Sequence, residues 1–367
     1  MPMNRANTFL FVGRCLGQID QPDTQELERL ISDWGVDWDL VLRMGSQEFV
    51  LPLLFWNLKR RNLLQLVPED VRDCLEGTYE LNALRNRELR TQIADIARVL
   101  NAVAVEPLLL KGSGLLCGDI YGDIGLRMMK DVDVLVPEDR LDACLVAMKA
   151  RGYREYSQSD TFDPQSHHYL PLVCDDYSTA VELHLQPTYR RFEHLLHAGE
   201  MWAPARPLSM GGTATALMPS PTHFALLSII HTQLARDRPR LYHLYDIVAL
   251  RRAWDHEIAW GEIRTRFDRA HRGKALRSHL FAVERIFGQP CPTEISPGLS
   301  ARLWWLGHLW CLRSERWMKI SRTVSYIGQS LEHLWRSPDL RRRLLRPRQW
   351  INIFRQEIRG QIGRDTW

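Results

Sequence analysis

Residues 131–136 read Asp-Val-Asp-Val-Leu-Val, an alternation of acid and aliphatic side chains that an extended strand sorts onto two faces. Residues two apart share a face, so Asp131 and Asp133 project together while Val132 and Val134 bury the other side. The pattern returns at 181–185, where Glu182 and His184 share one face and Val181, Leu183 and Leu185 the opposite one. Any fold for this chain must therefore contain a sheet with one apolar and one acidic face.

The text around these strands is of a different kind. Residues 24–61 read as two helices broken near 36–38, with Val50, Leu53, Leu54 and Leu58 as an inward strip. Pro68-Glu69-Asp70 opens a further helix, with acids at the positive end of its dipole, and the pattern continues to about residue 104 with room for a break. At Val105 the character changes. Residues 105–110 form a short apolar run ending at Lys111-Gly112-Ser113-Gly114, and 115–121 are helix-like. Pro137-Glu138-Asp139 opens a helix that Gly152 stops; 153–157, 168–174 and 179–185 read as strands, the last two a hairpin across Asp175-Asp176. From Pro219 the chain is helical again, at 223–234, 241–253 and 259–271, with a Trp-rich helical region from Leu299. The expected organisation is a helical region over 1–104, an α/β core over 105–218, a helical domain over 219–335 and an Arg-rich helix or tail over 336–367.

Two carboxylates a few ångströms apart repel each other unless a cation lies between them. Oxygen-only ligands favour Mg2+ or Mn2+ over zinc. A strand edge carrying two solvated acids would look the same locally, so the neighbouring residues matter. Leu110-Lys111-Gly112-Ser113 is a strand end turning into a helix start, where free N–H groups and the helix dipole favour phosphate; an ordinary strand–helix turn has the same letters. Arg127, in the turn-like 125–129 stretch, can pair with a phosphate, with the acids, or with a structural partner. Glu182 supplies the third carboxylate that two-metal phosphoryl transfer needs, whereas His184 reads as a hydrogen-bonded structural histidine. The acids are read as serving a metal, so Asp131→Asn and Asp133→Asn are both expected to keep the fold and an unchanged or raised melting temperature.

Together Leu110-Lys111-Gly112, Tyr121-Gly122-Asp123, Gly125-Leu126-Arg127, the 131–136 strand and Glu182-Leu183-His184 resemble the family of uncharacterised bacterial nucleotidyltransferases within the DNA polymerase β-like superfamily, over roughly 25–290. The resemblance implies an α+β fold, a small mixed sheet flanked by N-terminal and C-terminal helical regions. It implies a bound NTP, ATP being the expected donor, and transfer of a nucleoside monophosphate with release of pyrophosphate. Gly112 and Ser113 would cradle the triphosphate with Lys111 and Arg127 nearby. Asp131, Asp133 and Glu182 would hold Mg2+ or Mn2+, and Glu182 would help deprotonate the acceptor. This chain departs from the superfamily pattern in having Glu as third acid and in the seventeen residues between Ser113 and Asp131, although the family resemblance includes that longer connection. His231 and the 241–247 segment fit the family's helical half, where His231 and Asp246 either approach the cleft or pack between helices.

Composition excludes more than it identifies. Seven scattered cysteines with no CxxC or Cys/His spacing argue against a disulfide framework and a structural zinc site. Cys117 and Cys144 read as small core residues. No stretch approaches the length of a spanning helix, and a reducing cytoplasm is the expected location. The 336–364 segment carries nine arginines against Asp339 and Glu357; a helix with one solvated basic face is preferred over contact with nucleic acid or an acidic membrane. Three functions stand: transfer to a small molecule, peptide or protein; an antitoxin-type protein adenylyltransferase; and a binding or assembly protein whose transferase fold has lost turnover.

Overall fold

The computed structural model describes residues 4–17, 21–33, 35–157, 162–163, 166–234 and 239–314. The chain divides into two compact units, Met1–Arg313 and Ser314–Trp367. The Arg-rich 336–364 segment lies outside the described residues.

Five helices lead in. α1 (Arg5–Cys15) starts at Asn4, whose side chain accepts from the Asn7 N–H. α2 (Gln21–Asp33), α3 (Trp38–Gln47) and α4 (Leu51–Arg60) follow, three helices where the sequence pattern suggested two. The additional break is at Phe49, which takes a left-handed φ of 56°, and Pro52 then opens the next helix. The strip Val50, Leu53, Leu54 and Leu58 is buried as its spacing predicts. α5 (Glu69–Asn101) runs 33 residues without a break.

The sheet has seven strands in the order β3-β4-β5-β2-β1-β7-β6. They are β1 (Leu108–Leu109), β2 (Val132–Leu135), β3 (Arg154–Glu155), β4 (Leu172–Val173), β5 (Val181–His184), β6 (Arg206–Ser209) and β7 (Thr215–Met218). β2 pairs antiparallel with β1 and parallel with β5, so the sheet is mixed and the fold α+β. The β6–β7 hairpin was not anticipated, although Gly211 and Gly212, both at positive φ, mark its turn. β7 joins the sheet by pairing in parallel with β1. α6 (Lys111–Cys117) follows β1 after Leu110 and starts at Lys111, so the Lys-Gly-Ser segment is the helix's own first turn. α7 (Leu141–Ala150) and the short α8 (Ala198–Met201) complete this part. Val132, Val134, Val136, Val181, Leu183 and Leu185 bury the apolar face against Leu89, Ile93 and Ile96 of α5 and Cys144 and Met148 of α7.

Among the described residues the remaining helices are α9 (Pro221–Gln233), α10 (Leu241–Trp254), α11 (Trp260–Arg269), α12 (Gly273–Phe287) and α13 (Gly298–Leu312). Of these α12 was not anticipated. Among the described residues no helix is long and apolar enough to cross a membrane, and all seven cysteines are free.

Gly114 shows how closely α6 is pressed onto its surroundings. A Cβ there would lie 2.5 Å from the Leu109 carbonyl oxygen and 3.0 Å from Cζ of Phe224. The nearer atom is backbone and cannot swing away, so Gly114→Ala is expected to cost about 2 kcal/mol. A denaturant midpoint equal to the wild type's would refute that packing.

Candidate active site

Register brings the acids together. Asp133 of β2 lies directly opposite Glu182 of β5, and Leu135 opposite His184. In a parallel pair, residues at the same level share a face, so Asp131, Asp133, Glu182 and His184 all project from the side away from α5 and α7. The first turn of α6 abuts this row. The Leu110 N–H donates to the Asp133 carbonyl at 3.1 Å, and the Asp133 N–H donates to Ser113 Oγ at 3.0 Å. Two backbone-level bonds thus fix the height of Asp133 relative to the turn.

The side chains form a compact charged cluster. Lys111 Nζ donates to Asp133 Oδ1 at 2.7 Å, and His184 Nε2 lies 2.8 Å from the same oxygen and 3.5 Å from Glu182 Oε2. His168 Nε2 is 3.9 Å from Glu182 Oε2. Lys111 holds a left-handed φ of 44°, a strained conformation for a residue with a side chain.

Electrostatics divide the two aspartates. Burial would raise the Asp133 pKa, but the Lys111 charge and the His184 contact outweigh it and hold Asp133 far below the usual carboxylate range. Asp131 goes the other way. Burial, then the Asp133 charge, pushes it up to about 6. Glu182 is lowered despite burial, chiefly through its hydrogen bond with His184. Burial and the Lys111 charge oppose protonation of His184, yet Asp133 and Glu182 leave its pKa above the ordinary histidine value. Burial likewise opposes the charge on Lys111, and Asp133 and Glu182 more than offset it. Three carboxylates here are partly balanced by Lys111 and His184.

A cleft with about 810 Å³ of open space reaches the cluster from one side. Lys111, Gly112, Asp131 and Asp133 line its floor, as do Arg127 and Met129. Its outer part is formed by Phe49, Lys130, His231, Arg240 and Tyr242, with Asp246 also at its wall. Lys130 Nζ and the Arg240 guanidinium lie 4.6 and 5.3 Å from the Phe49 ring centroid. Phe49, Lys130 and Arg240 were not singled out in the sequence, and Tyr242 only as part of the 241–247 segment. Lys130 adjoins Asp131, but nothing local marks Phe49, which comes from the α3–α4 break.

The sequence candidates are not all placed alike. Lys111, Gly112, Asp131 and Asp133 meet at the cleft floor. Ser113 is fully buried, and its hydroxyl accepts from β2, so its side chain ties strand to helix. Glu182 joins the carboxylates from the His184 side, with His167 and His168 packed around it and His184. Arg127 reaches the cleft wall but is committed elsewhere. Its Nε and Nη2 donate to Asp246 Oδ1 and Oδ2 at 2.8 and 3.0 Å. It pairs with neither strand acid. Asp246 also accepts from the Tyr121 hydroxyl at 2.6 Å, so it both packs between helices and reaches the cleft. His231 lines the cleft too, with its ring 5.3 Å from that of His243.

A divalent cation fits this donor set. One ligand atom each from Asp133, Glu182 and His184 lies within 4.8 Å of the others, close to the span that bonds of roughly 2.0–2.2 Å can bridge. Asp131 adds a further carboxylate at the cleft floor, and no hydrogen bond among the described residues reaches it.

Comparison with known proteins adds three findings. The family described as uncharacterised nucleotidyltransferase matches residues 35–288. Among solved structures, an antigenic nucleotidyltransferase-like protein from Paracoccidioides brasiliensis is similar at 15% identity and a TM-score of 0.37, covering 58% of this chain and 98% of its own. No curated protein matches.

Proposed function

The chain belongs to the uncharacterised nucleotidyltransferase family, and we propose that it transfers a nucleoside monophosphate from an NTP, ATP being the expected donor, to a hydroxyl or similar acceptor on a small molecule, peptide or protein. The acceptor oxygen attacks the α-phosphorus, the bond to the bridging oxygen of the β-phosphate breaks, and pyrophosphate leaves. The observation that carries this reading is the row of three carboxylates, Asp133 and Glu182 on two paired strands and Asp131 just before β2, beside the Lys111–Gly112 turn.

Asp131, Asp133 and Glu182 would hold Mg2+ or Mn2+, which when bound offsets phosphate charge and eases ionisation of the acceptor. Lys111 sits at the cleft floor with its ammonium on Asp133, within reach of a triphosphate laid along the first turn of α6. Gly112 keeps that turn open. Its missing Cβ would meet Met129 Cγ at 3.0 Å. Glu182 receives the acceptor's proton, directly or through water. The Arg127 guanidinium, held by Asp246, fixes the wall against which the nucleotide lies.

The test uses the full chain with each NTP and Mg2+ or Mn2+. Nucleotide with metal should raise the melting temperature, since a ligand at a hundredfold excess over its Kd stabilises by about 2.7 kcal/mol. Glu182→Gln should keep nucleotide binding and lower turnover by roughly 100-fold, because the triphosphate contacts survive while the acceptor loses its base. Glu182→Asp, which retracts the charge by one methylene, should also lose rate. A variant whose binding, rate and melting temperature fall together would make Glu182 a partner of His184 and His168 instead. Nucleotide binding with no pyrophosphate release for any acceptor, including co-purified proteins checked for added nucleotide mass, would assign the chain to the binding scaffolds.

A further inference from the structure

His184 has the geometry of a ligand. Its Nδ1 lies 3.3 Å from the Gln186 carbonyl oxygen, an atom that can only accept, so Nδ1 carries a proton. That carbonyl is itself positioned: the Gln186 and Leu185 N–H groups both donate to the His167 carbonyl, at 3.0 and 2.8 Å, and Gln186 Oε1 accepts from the Ala198 N–H at 3.0 Å. Nε2 is then the nitrogen left to serve as a ligand, and it points at Asp133 Oδ1 and Glu182 Oε2, at 2.8 and 3.5 Å. A lone pair facing two carboxylate oxygens is repulsive unless a positive species lies among the three. A proton on Nε2 is one such species and a divalent ion is another. An imidazole whose second nitrogen is anchored on a backbone carbonyl is the usual arrangement around a bound metal. His184 is fully buried, with the rings of His167 and His168 at 5.4 and 5.3 Å, so its Nε2 has little freedom to turn elsewhere.

We propose that His184 Nε2, with Asp133 and Glu182, forms a nitrogen-containing cation site that takes a first-row divalent transition ion such as Mn2+ in preference to Mg2+. This rests on the metal-dependent reading above and goes beyond it, because a site of carboxylate oxygens alone carries no such preference. Mg2+ favours oxygen donors and gives up its waters reluctantly, whereas imidazole suits the transition ions. The Lys111 ammonium on Asp133 Oδ1 supplies positive charge there and must shift toward the cleft as the ion enters.

The experiment is binding to the full chain without nucleotide, using Mn2+ and Mg2+ separately as probes. Pulsed electron paramagnetic resonance of the Mn2+-loaded protein should show coupling to a directly bound histidine nitrogen, and histidine-selective 15N labelling should change that signal. The signal should vanish in His184→Gln and persist in His168→Gln. By calorimetry, His184→Gln should weaken Mn2+ at least tenfold and leave Mg2+ nearly unchanged. If His184→Gln does not fold, the labelled wild type and His168→Gln still decide the matter. Mn2+ bound without nitrogen coupling, a signal lost in His168→Gln instead, or equal losses of Mn2+ and Mg2+ affinity would overturn the proposal while leaving the carboxylate site intact. Failure of the wild type to bind either ion, with or without nucleotide, would remove both readings.

Discussion

Asp133→Asn is expected to do two things at once: lower transfer by roughly 1000-fold and destabilise the protein by about 3 kcal/mol. The first follows from its place between Lys111, Glu182 and the cleft floor. The second follows from what is left behind. Asp133 is 3% exposed and is the acceptor for the Lys111 ammonium, so the amide strands a cation whose side chain is only 18% exposed. Removing one partner of a buried pair costs more than the pair contributed. Asp131→Asn should lose transfer without that penalty. The folded state holds the Asp131 proton up to about 6, against 3.8 for the free side chain. The folded protein therefore binds this proton more tightly than the unfolded chain does. Its contribution to stability falls as pH rises from 3.8 to about 6 and stays low above that. An Asn at 131 removes this slope and should leave the melting temperature at pH 7 unchanged or higher. The sequence by itself suggested the same stability for both variants; the Lys111 contact separates them. Denaturant unfolding of the two proteins at pH 5 and pH 7 checks this, and equal midpoints at pH 7 would sink the distinction.

The other large effect belongs to a residue far from the strands. Asp246→Ala should cost about 4 kcal/mol, because it leaves Arg127 buried with no counter-charge. Both side chains of this pair are 8% exposed, the contact is bidentate, and Tyr121 donates to the same carboxylate. Burial works against the charge and Asp246 more than offsets it in the wild type; with Asp246 gone the guanidinium still cannot escape by losing its proton, because arginine stays protonated in proteins. Its face over the Tyr242 ring, 4.5 Å from the centroid, compensates little. The double variant Arg127→Met/Asp246→Leu should be closer to wild type than either single change, because apolar groups of similar size restore packing without a stranded charge. A cost below 1 kcal/mol for Asp246→Ala would show that water reaches this pair. The same variants bear on the cleft, since Arg127 and Asp246 both line it. Nucleotide affinity should fall in Asp246→Ala even where the protein remains folded.

Period and local chemistry could be read from the residues alone. The alternation at 131–136 and 181–185 places acids on one face because strand geometry repeats every two residues, and no distant contact can change that parity. The helical strip at 50–58 and the starts at Pro68 and Pro137 are local in the same way. Boundaries that depend on single backbone angles were less legible: Phe49 breaks a helix by adopting a left-handed φ, and nothing in its neighbours demands it. Which charges meet is set by the folded chain as a whole. Asp133 faces Glu182 through strand register, and Lys111 and His184 converge on Asp133 from two different elements. Arg127 finds its acid on α10, 119 positions along the chain. The β6–β7 hairpin likewise enters the sheet by pairing with β1, more than a hundred residues upstream. A single sequence records each residue's chemistry but not its partner, because a buried ion pair is selected by packing and desolvation over the whole fold. For the same reason His184 reads as structural in isolation and becomes a candidate ligand only when Gln186, Asp133 and Glu182 are set around its ring.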